Sequence, residues 1–564
     1  MTDRHWGPRI GENGVDFGLW APGVDSMDLI LDGRSVPMEA RGDGWWGAST
    51  PAEPGCEYAF ALPDGLRVPD PASRRQAGDV HGPSVLCTPA APSRGPGRPW
   101  ADAVIYECHI GALTPGGTFR DAIAVLDHIA ATGFTAIEIM PIAQFGGDRG
   151  WGYDGVLPYA PHPAYGTPDD LRALVAAAHD RGLMVLLDVV YNHFGPDGNY
   201  LASYAPGFFD ANRTTPWGTG IDFTQAAVRD FFVGNAVYWM DEFGIDGLRL
   251  DAIDQIVDPS PTHLLVELGD AVRARHPRAW LTTEDNRNVV HLHHGGPMDG
   301  EWNDDWHNAA HVVLTDEGEG YYAPFAADPI RHLARAAAEG FAEQGEGGRG
   351  VPSGHVHPTT FVDFLQNHDQ IGNRARGDRL TAGVDPRRLR CLQAFLLLSP
   401  HVPLLFMGEE WGATDPFPFF AGFDGDLGRI VREGRRAEFA DFKDFADSDV
   451  PDPIDPGTFA SAKLDWSVRD GAAAQADLDR IRGLLDVRRR HVRPLLDDPE
   501  ATGGRVLDGP EGGIAVDWRL AGCVLQARVN PTGAAMSLPP VEGDAIHGDA
   551  TALGGPFTCL MVLR

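Results

Sequence analysis

From Ala101 onward the chain alternates apolar runs with amphipathic ones. Seven runs, AVIYECHIG (103–111), AIEIMPI (136–142), LMVLLDVVYN (183–192), FGIDGLRLDAID (243–254), AWLTTED (279–285), TTFVDFLQNHD (359–369) and VPLLFMGEE (402–410), are short, rich in Val, Ile and Leu, and read as buried strands. FRDAIAVLDHIAATG (119–133), DDLRALVAAAHDRG (169–182) and PTHLLVELGDAVRARHP (261–277) carry apolar residues at helical spacing between them. Strand then helix, repeated over residues 98–498, predicts a parallel sheet covered by helices. A closed (β/α)8 TIM barrel is the commonest unit of that size. A doubly wound open sheet is the alternative, but neither GxGxxG nor GxxxxGK[ST] follows a strand.

The flanks have another texture. Residues 1–97 hold short β-like runs, VDFGLWAP, SMDLILDG and YAFALPDG, punctuated by Gly, Pro and Asp, and predict an immunoglobulin-like β-sandwich. TPAAPSRGPGRPW (88–100) reads as a linker, and GFAEQGEGGRGVPSGHVHP (340–358) as a surface loop. After the helical RIRGLLDVRRRHVRPLL (480–496), the runs GIAVDWRLAG, CVLQARVN and CLMVLR predict a small C-terminal β domain over 499–564.

Charge narrows the partners. With 80 acidic against 46 basic residues the formal charge is −34, and no local basic patch stands out, which argues against nucleic acid and membrane surfaces. The six cysteines are scattered without a CxxC pair, the start of the chain lacks a basic-then-apolar leader, and no stretch is long and apolar enough to span a bilayer. A cytoplasmic monomer is expected.

The chemistry gathers where strands end. Asp188, Asn192 and His193 close one run; Arg249, Asp251 and Asp254 another; Glu284 and Asp285 a third; Asn367, His368 and Asp369 a fourth. A single strand-end Asp is commonly a turn residue, and a single His a hydrogen-bonded core residue. Four strands delivering such groups to one rim is where barrel active sites are built. There is no GxSxG elbow and no HExxH; HLHHGG (291–296) lacks a partner set, so no metal and no cofactor are expected. Several carboxylates without a metal or nucleotide motif suit glycosyl transfer, which needs one ionised and one protonated carboxyl. The aromatic loops GGDRGWGYDGVLPYAPHPAYG and TTPWGTGIDF offer faces on which sugars stack, Tyr159 and Tyr165 being as readily packing residues.

DVVYNH (188–193), GLRLDAID (247–254), TTED (282–285) and FLQNHD (364–369) resemble, in order and spacing, the four sequence regions of the α-amylase superfamily of glycoside hydrolases. The resemblance implies Asp251 as nucleophile, Glu284 as general acid/base and Asp369 as transition-state stabiliser, with Tyr153, His193, Arg249 and His368 lining the sugar subsite and Asp254 close by. Thr283 precedes Glu284 where many members have Ala, and Asn192 matches a residue that often helps bind calcium in α-amylases. FGLWAP (17–22) resembles the glucan-binding sandwich preceding such barrels; Trp45 and Trp46 are candidates for sugar contact there, with core packing at least as plain a reading. The longer strings EWNDDWHNAAHVVLT (301–315), FLQNHDQIGNRARGDRL (364–380) and PLLFMGEEWGA (403–413) are similar to the superfamily's trehalose-releasing hydrolases, which cut the α-1,4 bond beside the terminal trehalose of a maltooligosyl trehalose. They imply Trp217, Asp304, Asp305, His307, Gln370 and Asn373 as residues gripping substrate. A glycogen branching or debranching enzyme is the alternative.

Overall fold

The computed structural model describes residues 4–12, 14–438 and 450–564. Eight parallel strands form a closed barrel: β1 (Ile105–Cys108), β2 (Ala136–Ile139), β3 (Met184–Val189), β4 (Gly247–Leu250), β5 (Trp280–Thr283), β6 (Gly300–Trp302), β7 (Phe361–Phe364) and β8 (Val402–Phe406), which pairs with β1. Every strand residue is buried, as expected of a parallel sheet with side chains on one face and helices on the other. Seven strands coincide with the seven apolar runs. The remaining one, β6, is the tripeptide Gly-Glu-Trp, too short to register as a run.

The main covering helices are α1 (Leu126–Thr132), α2 (Pro168–Asp180), α3 (Ala226–Phe243), α4 (Leu264–Arg275), α5 (Asp304–Thr315), α6 (Pro329–Glu339), α7 (Pro386–Leu398), α8 (Gly425–Glu438) and α9 (Ala472–Val487). α2 starts where the Thr167 hydroxyl accepts from the Asp170 N–H and the Asp170 carboxylate accepts from the Thr167 N–H, a cap that stabilises by about 1 kcal/mol. Its Leu171, Leu174, Val175 and Ala178 face the sheet.

Strict alternation fails once: β5 is followed by a loop, not a helix. Residues 284–299 include Gly295, Gly296 and Pro297 and lack helical apolar spacing. The loop instead buries Leu292 and Met298 and seats Pro297 against Gly269 of α4, where a side chain would collide with the proline ring. The 340–358 segment is no simple surface loop either: Phe341 and Val356 pack with Val290 and Phe361 in a small buried cluster.

Before the barrel, two antiparallel sheets face each other. One contains Gly7–Gly11, Gly14–Trp20, Trp45–Thr50 and Glu39–Gly42; the other is built on Asp28–Leu31 and Glu57–Ala61. Phe17 meets Tyr58 between them at 5.0 Å between ring centroids. Trp45 is buried against Trp6 and Trp46 donates to the Ala21 carbonyl, so packing occupies both candidates for sugar contact. Trp6 lies against Phe208 and Phe231 of the barrel's outer shell and donates to the Ala227 carbonyl at 2.8 Å. Thr88–Trp100, expected as a linker, is a strap: Ala90 N–H reaches Glu242, the Ser93 hydroxyl pairs with His179, and Arg98 donates to the Gly182 carbonyl. After the barrel, a five-stranded antiparallel sheet packs on α6 and α7, with Trp518 donating to the Ala337 carbonyl.

Candidate active site

Arg249 is the hub. It lies on β4 inside the barrel, 1 % exposed, with its guanidinium 4.0 Å over the Trp302 ring of β6. One arm, Nη1, donates to Asp188 Oδ2 and Asp251 Oδ1, both at 2.8 Å; the other, Nη2, donates to Glu284 Oε2 at 2.7 Å. Three carboxylates from three adjacent strands thus share one cation. Arg249 and Asp251 are two residues apart and project to the same face. Just beyond them Ala252 adopts φ +40°, a left-handed conformation costly for a residue with a Cβ, and its N–H donates to Glu284 Oε2 at 3.0 Å.

His368 forms the opposite wall. Its Nδ1 and backbone N–H both engage the Glu107 carboxylate of β1, and its ring stacks on Tyr153 at 5.1 Å. The Tyr153 hydroxyl donates to Asp188 Oδ2 at 2.6 Å, joining this wall to the carboxylates. Asp369 follows on a short helical turn capped by Asn367 and accepts from Asn373 Nδ2 at 2.7 Å. On the third side His193 hydrogen-bonds the Tyr153 carbonyl and stacks on Trp217 at 4.4 Å and 11°; Trp217 projects, 45 % exposed, from the tip of the 209–221 hairpin. These side chains surround a cleft of about 450 Å³.

Burial pushes Asp251 well above the carboxylate range, with the charges of Glu284 and Asp188 adding to it against the pull of Arg249. Burial would also raise Glu284, but Arg249, the Ala252 N–H and His368 outweigh it and hold Glu284 low. Burial and Glu284 raise Asp369. Burial would lower His368, but the Glu107 carboxylate outweighs it and raises the imidazole above its usual value, whereas burial pushes His193 down to about 4, so it is neutral.

Asp251, Glu284, Asp369, Tyr153, His193, Trp217, Arg249, His368 and Asn373 therefore meet around one cleft. Others of the expected set do not. Asp305 is fully buried and holds Arg349, Asn288 and the Glu343 N–H, tying down the 340–358 segment. His307 is buried against Phe364 and His311. Asp305 lies outside the cleft because successive residues on α5 point about 100° apart, whereas His307, on nearly the same side as Asp304, is kept out by its packing on Phe364 and His311. Asp304 faces the site side and accepts from Gln370 Nε2 at 3.4 Å, and Asp254 accepts from Gln255. Asn192 has both side-chain polar atoms buried without a protein partner, and no group of three His, Cys, Asp or Glu side chains placed to hold a metal forms among the described residues. Sequence reasoning missed Trp151, Asn286, Phe419, Val431, Arg435 and Glu438 in the cleft wall, and Glu107 and Trp302 beneath it. Trp151 lies flat where a side chain at position 372 would be, so that position is Gly.

Thr283 explains itself in the fold. Its hydroxyl meets His293 Nε2 at 2.9 Å and Glu301 Oε2 at 2.5 Å in a buried knot that anchors the helix-free loop directly behind Glu284. Burial pushes Glu301 well up and His293 down to about 4, so the knot is held by neutral groups. Thr283→Ala should lower kcat by about tenfold through misplacement of Glu284, with KM little changed and Thr283→Ser restoring the rate; equal rates for Ala and parent would show that the knot positions nothing.

Asp304 carries a separate pH signature. Burial, then repulsion by Glu284 and Asp369, pushes its carboxyl up to about 8. The folded chain therefore holds a proton there that the unfolded chain loses near its ordinary value of 3.8. Stability from this group is complete below that value and is lost as pH rises through about 8. Asp304→Asn should flatten the fall in unfolding temperature between about pH 5 and about pH 9; an unchanged slope would contradict the assignment.

Comparison with known proteins fits this geometry. The alpha amylase catalytic-domain family matches residues 76–207. The malto-oligosyltrehalose trehalohydrolase of Deinococcus radiodurans is 42% identical over 495 residues, 86% of this chain and 82% of that one. That of Saccharolobus solfataricus is 38% identical over 86% of this chain and 87% of its own. A 1.4 Å crystal structure from Salmonella typhimurium, assigned as an alpha amylase, superimposes over 100% of both chains with a TM-score of 0.96 and 48% identity. Barrel, site and relatives agree: the chain belongs to the malto-oligosyltrehalose trehalohydrolase family of alpha-amylase-type glycoside hydrolases.

Proposed function

We propose that this chain hydrolyses the α-1,4-glucosidic bond beside the terminal trehalose of a maltooligosyl trehalose, releasing trehalose and a shortened maltooligosaccharide by double displacement with retention. The observation that carries the mechanism is the pairing of Asp251 and Glu284 on the two arms of one guanidinium at the foot of an aromatic-walled cleft. In the first step Asp251 attacks the anomeric carbon while a proton passes from Glu284 to the leaving oxygen, giving trehalose and a glycosyl ester on Asp251. In the second, Glu284 takes a proton from water, whose oxygen displaces Asp251 and restores the carboxylate. Asp369 faces the ring as positive charge develops, and Tyr153, His193 and Trp217 hold the sugars.

Without sugar, Glu284 is the member of the pair held ionised, the reverse of what the first step needs. Asp251 and Glu284 are within hydrogen-bonding reach of each other, so one proton can serve both. We infer that a sugar oxygen displaces Glu284 from Arg249 and the Ala252 N–H and moves that proton onto it.

Free trehalose measured from maltooligosyl trehalose, plain maltooligosaccharide and branched glucan tests the substrate. The first should be preferred by a large factor; preference for branched glucan would replace this reading with a branching or debranching activity. Trp217→Ala should raise KM by about tenfold with a smaller change in kcat, as expected for loss of one stacking surface. An unchanged KM would remove Trp217 from the sugar path. Six cysteines without a disulfide support placing the enzyme in the reducing cytoplasm.

A further inference from the structure

No basic patch is expected, yet the run RIRGLLDVRRRHVR (480–493) holds six arginines, and folding brings Arg98 beside four of them. At the opposite end of the barrel from the catalytic rim, a cleft of about 300 Å³ is lined by five arginines, Arg98, Arg482, Arg488, Arg489 and Arg493, and by Asp102 and Asp486. This is a concentration of cations on a chain whose net charge is −34.

Arg488 is the informative one. It is 3 % exposed and donates to three carbonyls, Leu397 and Ser399 through Nη1 and His401 through Nη2, which leaves two of its five N–H groups outside those bonds. Among the described residues no carboxylate forms an ion pair with it. Burial pushes its pKa down to about 9; the charge of buried Asp363 opposes this and the nearby Arg493 adds to it. A buried cation held by carbonyls and only a more distant carboxylate, Asp363, is costly, and an anion in the adjoining cleft would compensate it further.

The other arginines are partly engaged. Arg493 pairs with Asp102 and Asp497, Arg489 with Asp486, and Arg482 with Asp479 at 3.5 Å; Arg98 is only 3.6 Å from Asp102. Arg482 Nε is buried without a partner. The backbone assists: Arg488–Val492 forms a π-turn at the end of α9, a geometry that often marks functional sites. The remaining lining is aliphatic at Ala101, Val104, Ala131 and Leu485, with Thr132, Gly133 and Thr135 beside them.

We propose that this cleft binds a phosphoryl group, with the guanidiniums taking the dianion and the aliphatic floor taking the organic part of a small phosphate ester. Arginines suit the planar, multidentate contacts of phosphate. The cleft is local and the surrounding charge negative, which favours a small anion over a polyanionic strand.

Calorimetric titration of the full-length protein with inorganic phosphate, glucose 6-phosphate and AMP tests this, with sodium chloride at matched ionic strength as the blank. Saturable binding is expected for at least one phosphate and not for chloride. The double variant Arg482→Ala/Arg489→Ala should weaken it by about tenfold or more without altering kcat on oligosaccharide, whereas Arg490→Ala, one residue along and outside the lining, should not. Tighter binding of an ester than of inorganic phosphate supports the ester; equal affinity keeps the phosphoryl site and assigns it to free phosphate. No saturable binding, or binding unaffected by the double variant, overturns the proposal.

Discussion

Glu284→Gln should fold normally and lose about 10³-fold or more in kcat. The amide matches the carboxylate in shape, and its oxygen can still accept from Arg249 and the Ala252 N–H. It cannot donate a proton of suitable acidity to the leaving oxygen, nor take one from water. The two losses separate experimentally. A glucosyl fluoride needs no protonated leaving group, so the variant should still form the ester on Asp251 and then stall. A burst of one fluoride per enzyme followed by a slow phase is the expected trace. A steady rate within about tenfold of the parent enzyme would remove Glu284 from the acid/base role.

Arg249→Met should have the largest effect on the folded chain. Removing the guanidinium leaves Asp188, Asp251 and Glu284 buried without their common cation. Loss of one partner from a buried ion pair costs about 3–5 kcal/mol, and here one partner serves three groups. The Trp302 ring also loses the cation above it. Activity should vanish, and the stability deficit should depend on pH. The orphaned carboxyls acquire raised folded pKa values, so the variant's stability is retained at low pH and lost as pH rises. Thermal unfolding at several pH values should show the gap to the parent widening from about pH 5 to about pH 8; a gap independent of pH would mean the three carboxylates find other partners.

Much of this site is legible in the chain because its reacting groups sit at strand ends. Asp251, Glu284 and Asp369 each follow an apolar run by one to a few residues, so the string and the rim position coincide. Arg249 stands out as a charged residue inside such a run. Legibility fails where three-dimensional direction matters more than proximity in sequence. Asp304, Asp305 and His307 share one string, but helix geometry sends them to different neighbours. Val431, Arg435 and Glu438 reach the cleft from α8, whose polar and apolar spacing resembles that of any surface helix. β6 contributes the inward Trp302 platform and an outward Glu301 for the Thr283 knot from three residues, leaving no periodic signal. The arginine cleft is partly legible, since four of its members lie in the arginine-rich run 482–493; what only folding supplies is Arg98 and the aliphatic floor.

The Trp6 contact bears on how the chain can be divided. Its ring is shared among Trp45 of the leading sheets and Phe208 and Phe231 of the barrel shell, while the Gly23 N–H bonds the Tyr204 carbonyl across the same seam. A tethered sugar-binding module would raise local substrate concentration according to the reach of its linker. Here the strap has no slack, and the leading sheets are held by an aromatic joint. They act as a buttress for the 201–243 segment, whose hairpin carries Trp217. Cutting the chain at residue 98 would therefore not liberate an autonomous catalyst; it would expose Phe208 and Phe231 as a sticky aromatic surface and loosen the arm that reaches over the substrate.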